Sequence, residues 1–213
     1  MIVKVCGMRQ PDNIDAVAAT GIDMMGFIFY RKSPRFVDQL DGSTIKAVKT
    51  RGIEPVALFV DEDIDVVVAT LQRYGFTTVQ LHGSESTDYC DRLRAHGYKV
   101  LKAISISDEG DVAHAALYDG HADMLVVDTK CSGKGGSGVK FDWRLLENAT
   151  FATPFLLSGG IAATDAEAVA ALFRSSAPRM AGVDINSRFE TAPALKSPAL
   201  ISQFLSQLSQ FIQ

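Results

Sequence analysis

Met124-Leu125-Val126-Val127-Asp128 is a short apolar run that ends in a carboxylate, and it is one of eight such runs along the chain. Apolar residues that follow one another without polar alternation are typical of strands covered on both faces, as in parallel sheets. The eight predicted strands are Ile2–Cys6, Met24–Phe29, Pro55–Val60, Thr78–His82, Val100–Ile104, Met124–Asp128, Phe155–Ser158 and Met180–Asp184.

Segments with helical spacing separate these runs. The predicted helices are Asp12–Thr20, Thr44–Arg51, Ile64–Tyr74, Thr87–His96, Glu109–Tyr118, Trp143–Glu147, Asp165–Phe173 and Pro198–Ile212. Regular alternation of strand and helix predicts an α/β fold with a parallel sheet. Eight such units in 213 residues predict a single (βα)8 TIM-barrel domain over residues 1–213. A doubly wound open sheet is the alternative, but the Gly-rich fingerprint expected after its first strand is missing.

Charge and cysteine content exclude several classes of protein. The net charge of -4 does not favour a nucleic-acid or membrane-surface binder, which would need a basic face. No apolar stretch approaches the roughly 20 residues that span a bilayer. The three cysteines are far apart and form no CxxC or Cys/His cluster, so neither a disulfide framework nor a metal site is indicated. We therefore expect a cytoplasmic protein without a metal.

The carboxyl ends of barrel strands are where chemistry is expected, because the loops that follow them form the active face. Cys6 ends the first predicted strand and Asp128 ends the sixth. A thiolate can take a proton from carbon, and a partly desolvated carboxyl group can act as a general acid. Singly, Cys6 could be a small buried hydrophobe and Asp128 could pair with Lys130. Together they would form the acid–base couple that an aldose–ketose isomerisation needs.

Other polar residues follow the remaining strands. Arg35 can hold a carboxylate in a bidentate fork, or it can be a solvated loop charge. His82 is interpreted as a pocket-lining residue, although it could also be a structural histidine. Ser158-Gly159-Gly160 and Asp184-Ile185-Asn186-Ser187 follow strands seven and eight, where TIM barrels frequently bind phosphate, although the glycine pair alone could be a tight turn. Residues 133–138 form either a lid or a surface loop.

Six groups of residues, in this order, resemble the motifs of phosphoribosylanthranilate isomerases. They are Lys4-Val5-Cys6-Gly7-Met8-Arg9; Gly26-Phe27-Ile28-Phe29 with Lys32-Ser33-Pro34-Arg35; Val79-Gln80-Leu81-His82-Gly83; Asp128-Thr129-Lys130 with Gly135-Gly136-Ser137-Gly138 and Phe141-Asp142-Trp143; Leu157-Ser158-Gly159-Gly160-Ile161; and Val183-Asp184. Each motif is weak alone. Six of them at strand ends, over nearly the whole chain, are specific.

The resemblance implies the Amadori rearrangement of N-(5-phosphoribosyl)anthranilate to 1-(2-carboxyphenylamino)-1-deoxyribulose 5-phosphate, a step of tryptophan biosynthesis. Cys6 matches the general base that takes the C2′ proton, and Asp128 matches the general acid that protonates the furanose oxygen. Arg35 matches the residue that holds the anthranilate carboxylate. The resemblance implies no metal or organic cofactor, because the substrate's own nitrogen supplies an iminium. A positive charge such as Lys4, or that iminium, would help to ionise the thiol.

The resemblance extends to the rest of the pocket. Backbone groups around Gly159, Gly160, Asn186 and Ser187 would hold the phosphate, and Asp184 and His82 match pocket residues without a defined role. The sequence departs from the family's common Asp-Val-Ser-Ser-Gly-Val-Glu after strand eight. Asn186 stands in place of a serine and Arg188 in place of a glycine. If the turn needs a positive φ at this position, Arg188 would strain or reshape it. Alternatively, Arg188 would add a contact to the phosphate.

Two alternatives to this interpretation are weaker. The isomerase of histidine biosynthesis performs the same rearrangement, but its family resembles two fused half-barrels with carboxylates ending strands one and five, and neither feature is present. A non-catalytic barrel that senses a phosphorylated ligand would not need both Cys6 and Asp128. We expect a small phosphorylated substrate as the partner, no nucleic acid and no membrane, and a monomer or a homodimer.

Overall fold

A computed structural model describes residues 1–129, 143–147, 149, 151–176 and 179–212. Within them, eight parallel strands close into a barrel in chain order, because the eighth strand pairs back with the first. The strands are β1 (Ile2–Cys6), β2 (Met24–Ile28), β3 (Glu54–Phe59), β4 (Thr78–Leu81), β5 (Lys99–Ile106), β6 (Met124–Thr129), β7 (Phe155–Ser158) and β8 (Met180–Ile185). The predicted TIM barrel is therefore confirmed.

Helices connect the strands. They are α1 (Pro11–Ala18), α2 (Gly42–Thr50), α3 (Ile64–Tyr74), α4 (Thr87–Ala95), α5 (Glu109–Ala115), α6 (Arg144–Glu147), α7 (Ala166–Ser176) and α8 (Pro198–Ile212). Short 3-10 helices cover Ala116–Tyr118, Ala163–Asp165 and Ser187–Phe189. No helix within the described ranges is both long enough and apolar enough to cross a membrane.

The observed elements differ from the predicted ones mainly at their ends. Strand β5 runs on to Ile106 instead of stopping at Ile104, because its ladder with β6 continues past the apolar run. Backbone hydrogen bonds do not depend on side-chain polarity, so an apolar pattern underestimates such a strand. Helix α1 begins at Pro11, one residue before the expected start, since proline fits the first helical position.

A hairpin that the sequence did not predict follows β8. Its strands are β9 (Glu190–Ala192) and β10 (Leu195–Lys196), which pair antiparallel. Asn13 of α1 fastens β10 in place: its Nδ2 donates to the carbonyl of Lys196 at 2.8 Å, and its Oδ1 accepts from the Lys196 amide at 2.8 Å. The hairpin thereby carries a lysine to the barrel.

Alternate residues of each strand fill the barrel interior. An apolar cluster packs there, made of Met24, Val56, Leu101, Ala103, Val126 and Leu156. Above it in the direction of the strands lie polar inward-facing groups. The registers place Lys4 beside Asp184 and Cys6 beside Gly26 on neighbouring strands. The interior is thus apolar at one end and polar at the carboxyl end.

A buried ion pair on the outside of the sheet gives a prediction about stability. Lys102 Nζ lies 3.1 Å from Glu85 Oε2, and both side chains are at most 2% exposed. Replacing Glu85 with Gln leaves the buried ammonium without a counter-charge, which we expect to cost about 3 kcal/mol of unfolding free energy. Urea unfolding measures this loss.

The exposed pair of Arg51 and Asp15 is the matched control, with 2.8 Å between Nη2 and Oδ1 and side chains 43% and 64% exposed. Because solvent screens that pair, Asp15→Asn should cost at most about 1 kcal/mol. Equal losses in Glu85→Gln and Asp15→Asn would show that burial does not set the strength of the Lys102 pair.

Candidate active site

Ten of the residues that the sequence singled out line one cavity of about 540 Å³ at the carboxyl ends of the strands. They are Cys6, Arg35, His82, Asp128, Ser158, Gly159, Gly160, Asp184, Asn186 and Ser187. Apolar side chains complete the wall, namely Ile28, Tyr30, Leu58, Val60 and Ile161. A largely preformed pocket with an apolar wall and a few convergent polar groups has the character of a small-molecule site.

Cys6 lies at the inner wall of this cavity and is 3% exposed. Its neighbour across the ladder is Gly26. A Cβ on Gly26 would lie 2.8 Å from the Cys6 sulfur and 3.1 Å from its Cα. The absence of a side chain at Gly26 therefore provides the space in which the thiol sits.

Lys4 occupies the layer just below Cys6 on the same inward face of β1. Its side chain is completely buried, and its Nζ lies 2.9 Å from Asp184 Oδ2. Burial lowers the pKa of Lys4, but the Asp184 carboxylate and the Cys6 sulfur more than offset this, so the net direction is upward. The barrel therefore holds a charged ammonium group next to the thiol.

Opposing effects act on the Cys6 thiol. Burial raises its pKa, the ammonium of Lys4 lowers it, Asp184 raises it, and Lys196 lowers it. The net direction is upward from the ordinary thiol value. Because the thiolate is the reactive form, the fraction of molecules with a reactive Cys6 increases as the pH rises towards this raised pKa.

Asp128 lies on β6, on another side of the cavity mouth, where about a third of its side chain is exposed. His82 Nε2 is 3.8 Å from Asp128 Oδ2. His82 in turn contacts Gln80, whose Nε2 is 3.2 Å from His82 Nδ1. Gln80 also lines the cavity, although no role is predicted for it from the sequence. Its position two residues before His82 on the same strand face was the available signal.

Arg35 does not stand free in the cavity, because Glu190 engages its guanidinium at two points. Arg35 Nε donates to Glu190 Oε2 at 3.1 Å, and Nη2 donates to Oε1. Lys196 Nζ donates to the same Oε2 at 2.6 Å and also to Asn186 Oδ1. Burial raises the pKa of Glu190, but hydrogen bonds from Arg35 and Lys196 outweigh it and the net direction is downward. Glu190 is thus a buried carboxylate that orients two cations.

Burial is the main influence on Lys196, and it lowers the pKa of that ammonium despite the opposing effect of Glu190. The sequence pattern gives no signal for Glu190 or Lys196, since neither residue ends a barrel strand.

Gly7 makes the approach of Arg35 possible. Its φ is +83°, a left-handed conformation that favours glycine, and a Cβ there would lie 2.7 Å from Arg35 Cδ. The same Cβ would lie 3.1 Å from Asn186 Oδ1. The turn after β1 therefore has to be glycine for Arg35 and Asn186 to reach the cavity.

The loops after β7 and β8 form another side of the cavity. Gly159 and Gly160 have φ values of +87° and +67°, and both line the cavity together with Ser158, Asn186 and Ser187. Backbone amides in such glycine turns can approach an anion closely. Because Asn186 Oδ1 accepts from Lys196, its amide nitrogen remains available as a donor.

Arg188 neither strains the turn nor lines the cavity. Among the described non-glycine residues, only Asp61 and Ala194 have a positive φ. Arg188 lies within the 3-10 helix Ser187–Phe189, and its side chain is exposed. Arg188 therefore introduces no strain at this turn, because the backbone there does not need a positive φ. A contact between Arg188 and the phosphate stays a prediction. The glycine-rich stretch 133–138 lies outside the described residues.

Comparison with known proteins assigns the family. The family model for N-(5'phosphoribosyl)anthranilate (PRA) isomerase matches residues 3–207. An N-(5'-phosphoribosyl)anthranilate isomerase of Phocaeicola vulgatus is 41% identical over 213 residues, which is all of both chains. One from Parabacteroides distasonis is 42% identical over 210 residues, 98% of this chain and 93% of that one.

Structural comparison agrees. The crystal structure of phosphoribosyl anthranilate isomerase from Thermotoga maritima superposes with a TM-score of 0.83 at 28% identity, covering 99% of this chain and 100% of that one. Fold, length and sequence all match over nearly the full chain. The chain belongs to the phosphoribosylanthranilate isomerase family, whose members are isomerases of tryptophan biosynthesis.

Proposed function

We propose that this chain isomerises N-(5'-phosphoribosyl)anthranilate with Cys6 as the general base and Asp128 as the general acid. The observation that carries the proposal is that β1 and β6 present these two groups to the same cavity. The buried ammonium of Lys4 beside Cys6 supports the thiol as the base, because a positive charge favours the thiolate.

The proposed chemistry begins with ring opening. The Asp128 carboxyl group gives its proton to the furanose oxygen, the bond between C1′ and that oxygen breaks, and the nitrogen lone pair forms an iminium with C1′. The Cys6 thiolate then takes the C2′ proton, and the electrons of that C–H bond form a double bond between C1′ and C2′, which neutralises the iminium. The resulting enol becomes the C2′ ketone when C1′ takes a proton and the C2′ hydroxyl group gives its proton to water.

The ends of the substrate are proposed to be held by other groups on the cavity wall. Arg35 uses two of its five N–H donors on Glu190, and the others remain for the anthranilate carboxylate. Ser158, Gly159, Gly160, Asn186 and Ser187 are proposed to bind the phosphate. The two anionic ends would thereby fix C1′ and C2′ between Cys6 and Asp128.

The proposal also covers the setting of the enzyme. A thiol base has to stay reduced, which supports the cytoplasm as its location. A small phosphorylated substrate is the partner that the cavity fits, and neither nucleic acid nor membrane is proposed. The state of assembly, monomer or homodimer, stays a prediction.

Replacing Lys4 with Met tests how the thiol is ionised. Since the pKa of Cys6 is raised, kcat/KM should increase as the pH rises through that pKa. Removing the ammonium of Lys4 removes an effect that lowers the pKa of Cys6, whereas burial and Asp184 still raise it. The ascending limb of the pH profile should therefore move to higher pH. Below the limb, each pH unit of displacement lowers kcat/KM about tenfold.

Lys46→Met serves as the control for that profile, because Lys46 is exposed on α2 away from the cavity. Its profile should coincide with that of the wild type. A Lys4→Met profile that also coincides with the wild type would contradict the role given to Lys4.

The substrate assignment is tested by adding wild-type protein to freshly prepared N-(5'-phosphoribosyl)anthranilate and following the loss of its anthranilate-type fluorescence. Rapid turnover supports the proposed reaction. A folded protein that leaves the fluorescence unchanged would contradict the assignment. That result would favour a non-catalytic barrel that senses a phosphorylated ligand, or an enzyme for a different sugar-phosphate substrate. The parallel assay with the aminoaldose of histidine biosynthesis should show no comparable rate.

A further inference from the structure

Two buried side-chain atoms lack a hydrogen-bond partner within the part of the chain that the structure describes. They are Gln80 Oε1 and Asp184 Oδ1. Both residues line the cavity, with Gln80 completely buried and Asp184 5% exposed. Buried polar atoms without a partner are rare in folded proteins, because desolvation without a new hydrogen bond costs free energy. Two such acceptors in one cavity point to a ligand that brings donors.

The amide nitrogen of Gln80 faces His82. Gln80 Nε2 lies 3.2 Å from His82 Nδ1, and the amide nitrogen donates to the ring nitrogen when His82 carries its proton on Nε2. Turning the carboxamide oxygen towards His82 would remove this bond in the tautomer that carries its proton on Nε2. In that tautomer the oxygen points away from His82 and can accept a hydrogen bond from a ligand in the cavity.

Most of the other polar cavity groups already have a task under the proposed function, on which this inference rests. Cys6 and Asp128 move protons, Arg35 faces a carboxylate and the glycine loops face a phosphate. What remains of the substrate is a furanose ring with hydroxyl groups at C2′ and C3′. Hydroxyl groups are donors, and the two unpartnered atoms are acceptors.

The position of the acceptors divides these hydroxyl groups between them. Asp184 on β8 neighbours β1, which carries Cys6, and the charge of Asp184 acts on the thiol. The C2′ end of the sugar, where Cys6 acts, is therefore on the Asp184 side. Gln80 lies on β4, four strands away in the closed barrel, which leaves it the hydroxyl group at C3′.

We propose that Gln80 is a specificity-determining residue, whose carboxamide oxygen accepts a hydrogen bond from the C3′ hydroxyl group of the ribosyl unit. A site built to hydrogen-bond a substrate hydroxyl group disfavours an analogue that lacks it, because the buried acceptor then stays unpaired. The enzyme should therefore select ribosyl over 3-deoxyribosyl substrates.

The experiment measures that selection. Substrates are prepared from anthranilate and either ribose 5-phosphate or 3-deoxyribose 5-phosphate, and kcat/KM is determined for each. The wild type should prefer the ribosyl substrate about tenfold or more. Gln80→Met removes the acceptor with little change in volume, and its preference should fall to within about threefold of unity.

Two further variants separate this role from a structural one. Gln80→Glu keeps an oxygen at the same place and should keep the preference even if its overall rate falls. Thr78→Val alters an equally buried residue two positions earlier on the same strand face, outside the cavity lining, and should keep the preference as well. Melting curves of all variants establish that each is folded.

The outcomes distinguish this inference from the proposed function. A wild type that is active on the ribosyl substrate but shows no preference overturns the assignment of Gln80 alone, whatever the variants do. A Gln80→Met variant that keeps the wild-type preference overturns it too. A wild type inactive on both substrates overturns the proposed function first, and this inference with it.

Discussion

Cys6→Ala lowers kcat by about 10²- to 10⁴-fold in our expectation, because the substitution removes the group that takes the C2′ proton. Binding of the substrate should change little, since Arg35 and the loops after β7 and β8 supply the anchoring contacts. Single-turnover fluorescence gives the rate of the chemical step, and its dependence on enzyme concentration gives the dissociation constant.

Cys90 provides a matched control. It is a buried thiol on α4 outside the cavity lining, and burial raises its pKa to about 11. Cys90→Ala should keep kcat within a few-fold of the wild type once folding is confirmed. A Cys6→Ala variant as active as Cys90→Ala would mean that another group is the base.

Asp128→Asn should lower kcat by a similar factor, about 10²- to 10⁴-fold. The amide has nearly the shape of the carboxyl group but has no acidic proton to give to the furanose oxygen, so the ring opens slowly. The dissociation constant of the substrate should again be close to that of the wild type. Single-turnover rates at several pH values measure the effect.

Asp123 lies just before the opposite, amino end of β6 and makes a suitable comparison. Its carboxylate accepts a hydrogen bond from the Val100 amide at 2.8 Å, far along the strand from the cavity. Asp123→Asn should therefore affect stability more than kcat. If Asp123→Asn and Asp128→Asn reduced kcat equally, the loss would reflect damage to the strand and not a missing acid.

Most of the site could be predicted from sequence because its residues follow the carboxyl ends of the strands. Closing parallel strands into a barrel brings all their carboxyl ends to one rim, so residues distant in sequence, such as Cys6, His82 and Asp128, line one cavity. Predicting which residues meet at this rim requires only the number and order of the strands. Errors of one or two residues at strand ends, as at Ile106 of β5, do not disturb it.

The residues that the sequence did not reveal depend on contacts made by other parts of the fold. Glu190 reaches Arg35, and Lys196 reaches Glu190, through the hairpin of β9 and β10. The two strands of this hairpin are too short to give a periodic pattern. The position of Lys196 also depends on Asn13, at a sequence separation of 183 residues.

Inward-facing polar residues within apolar strands were a usable signal. Lys4 shares a face with Cys6, and Gln80 shares a face with His82, because residues two apart on a strand point the same way. This two-residue spacing predicts that Lys4 and Gln80 lie close to the site. It does not predict which atoms of the side chain find partners, which depends on the neighbouring strands.

The double variant Cys6→Ala/Asp128→Asn, compared with both single variants in single-turnover fluorescence, tests the central claim that these residues act together as base and acid on one substrate. Residues that serve one reaction lose activity non-additively. We predict that the double variant is within about tenfold of the slower single variant, and that both single variants are slower than the wild type by about 10²-fold or more. Single variants with near wild-type rates, or a double variant that loses the full product of the two factors, would contradict the account.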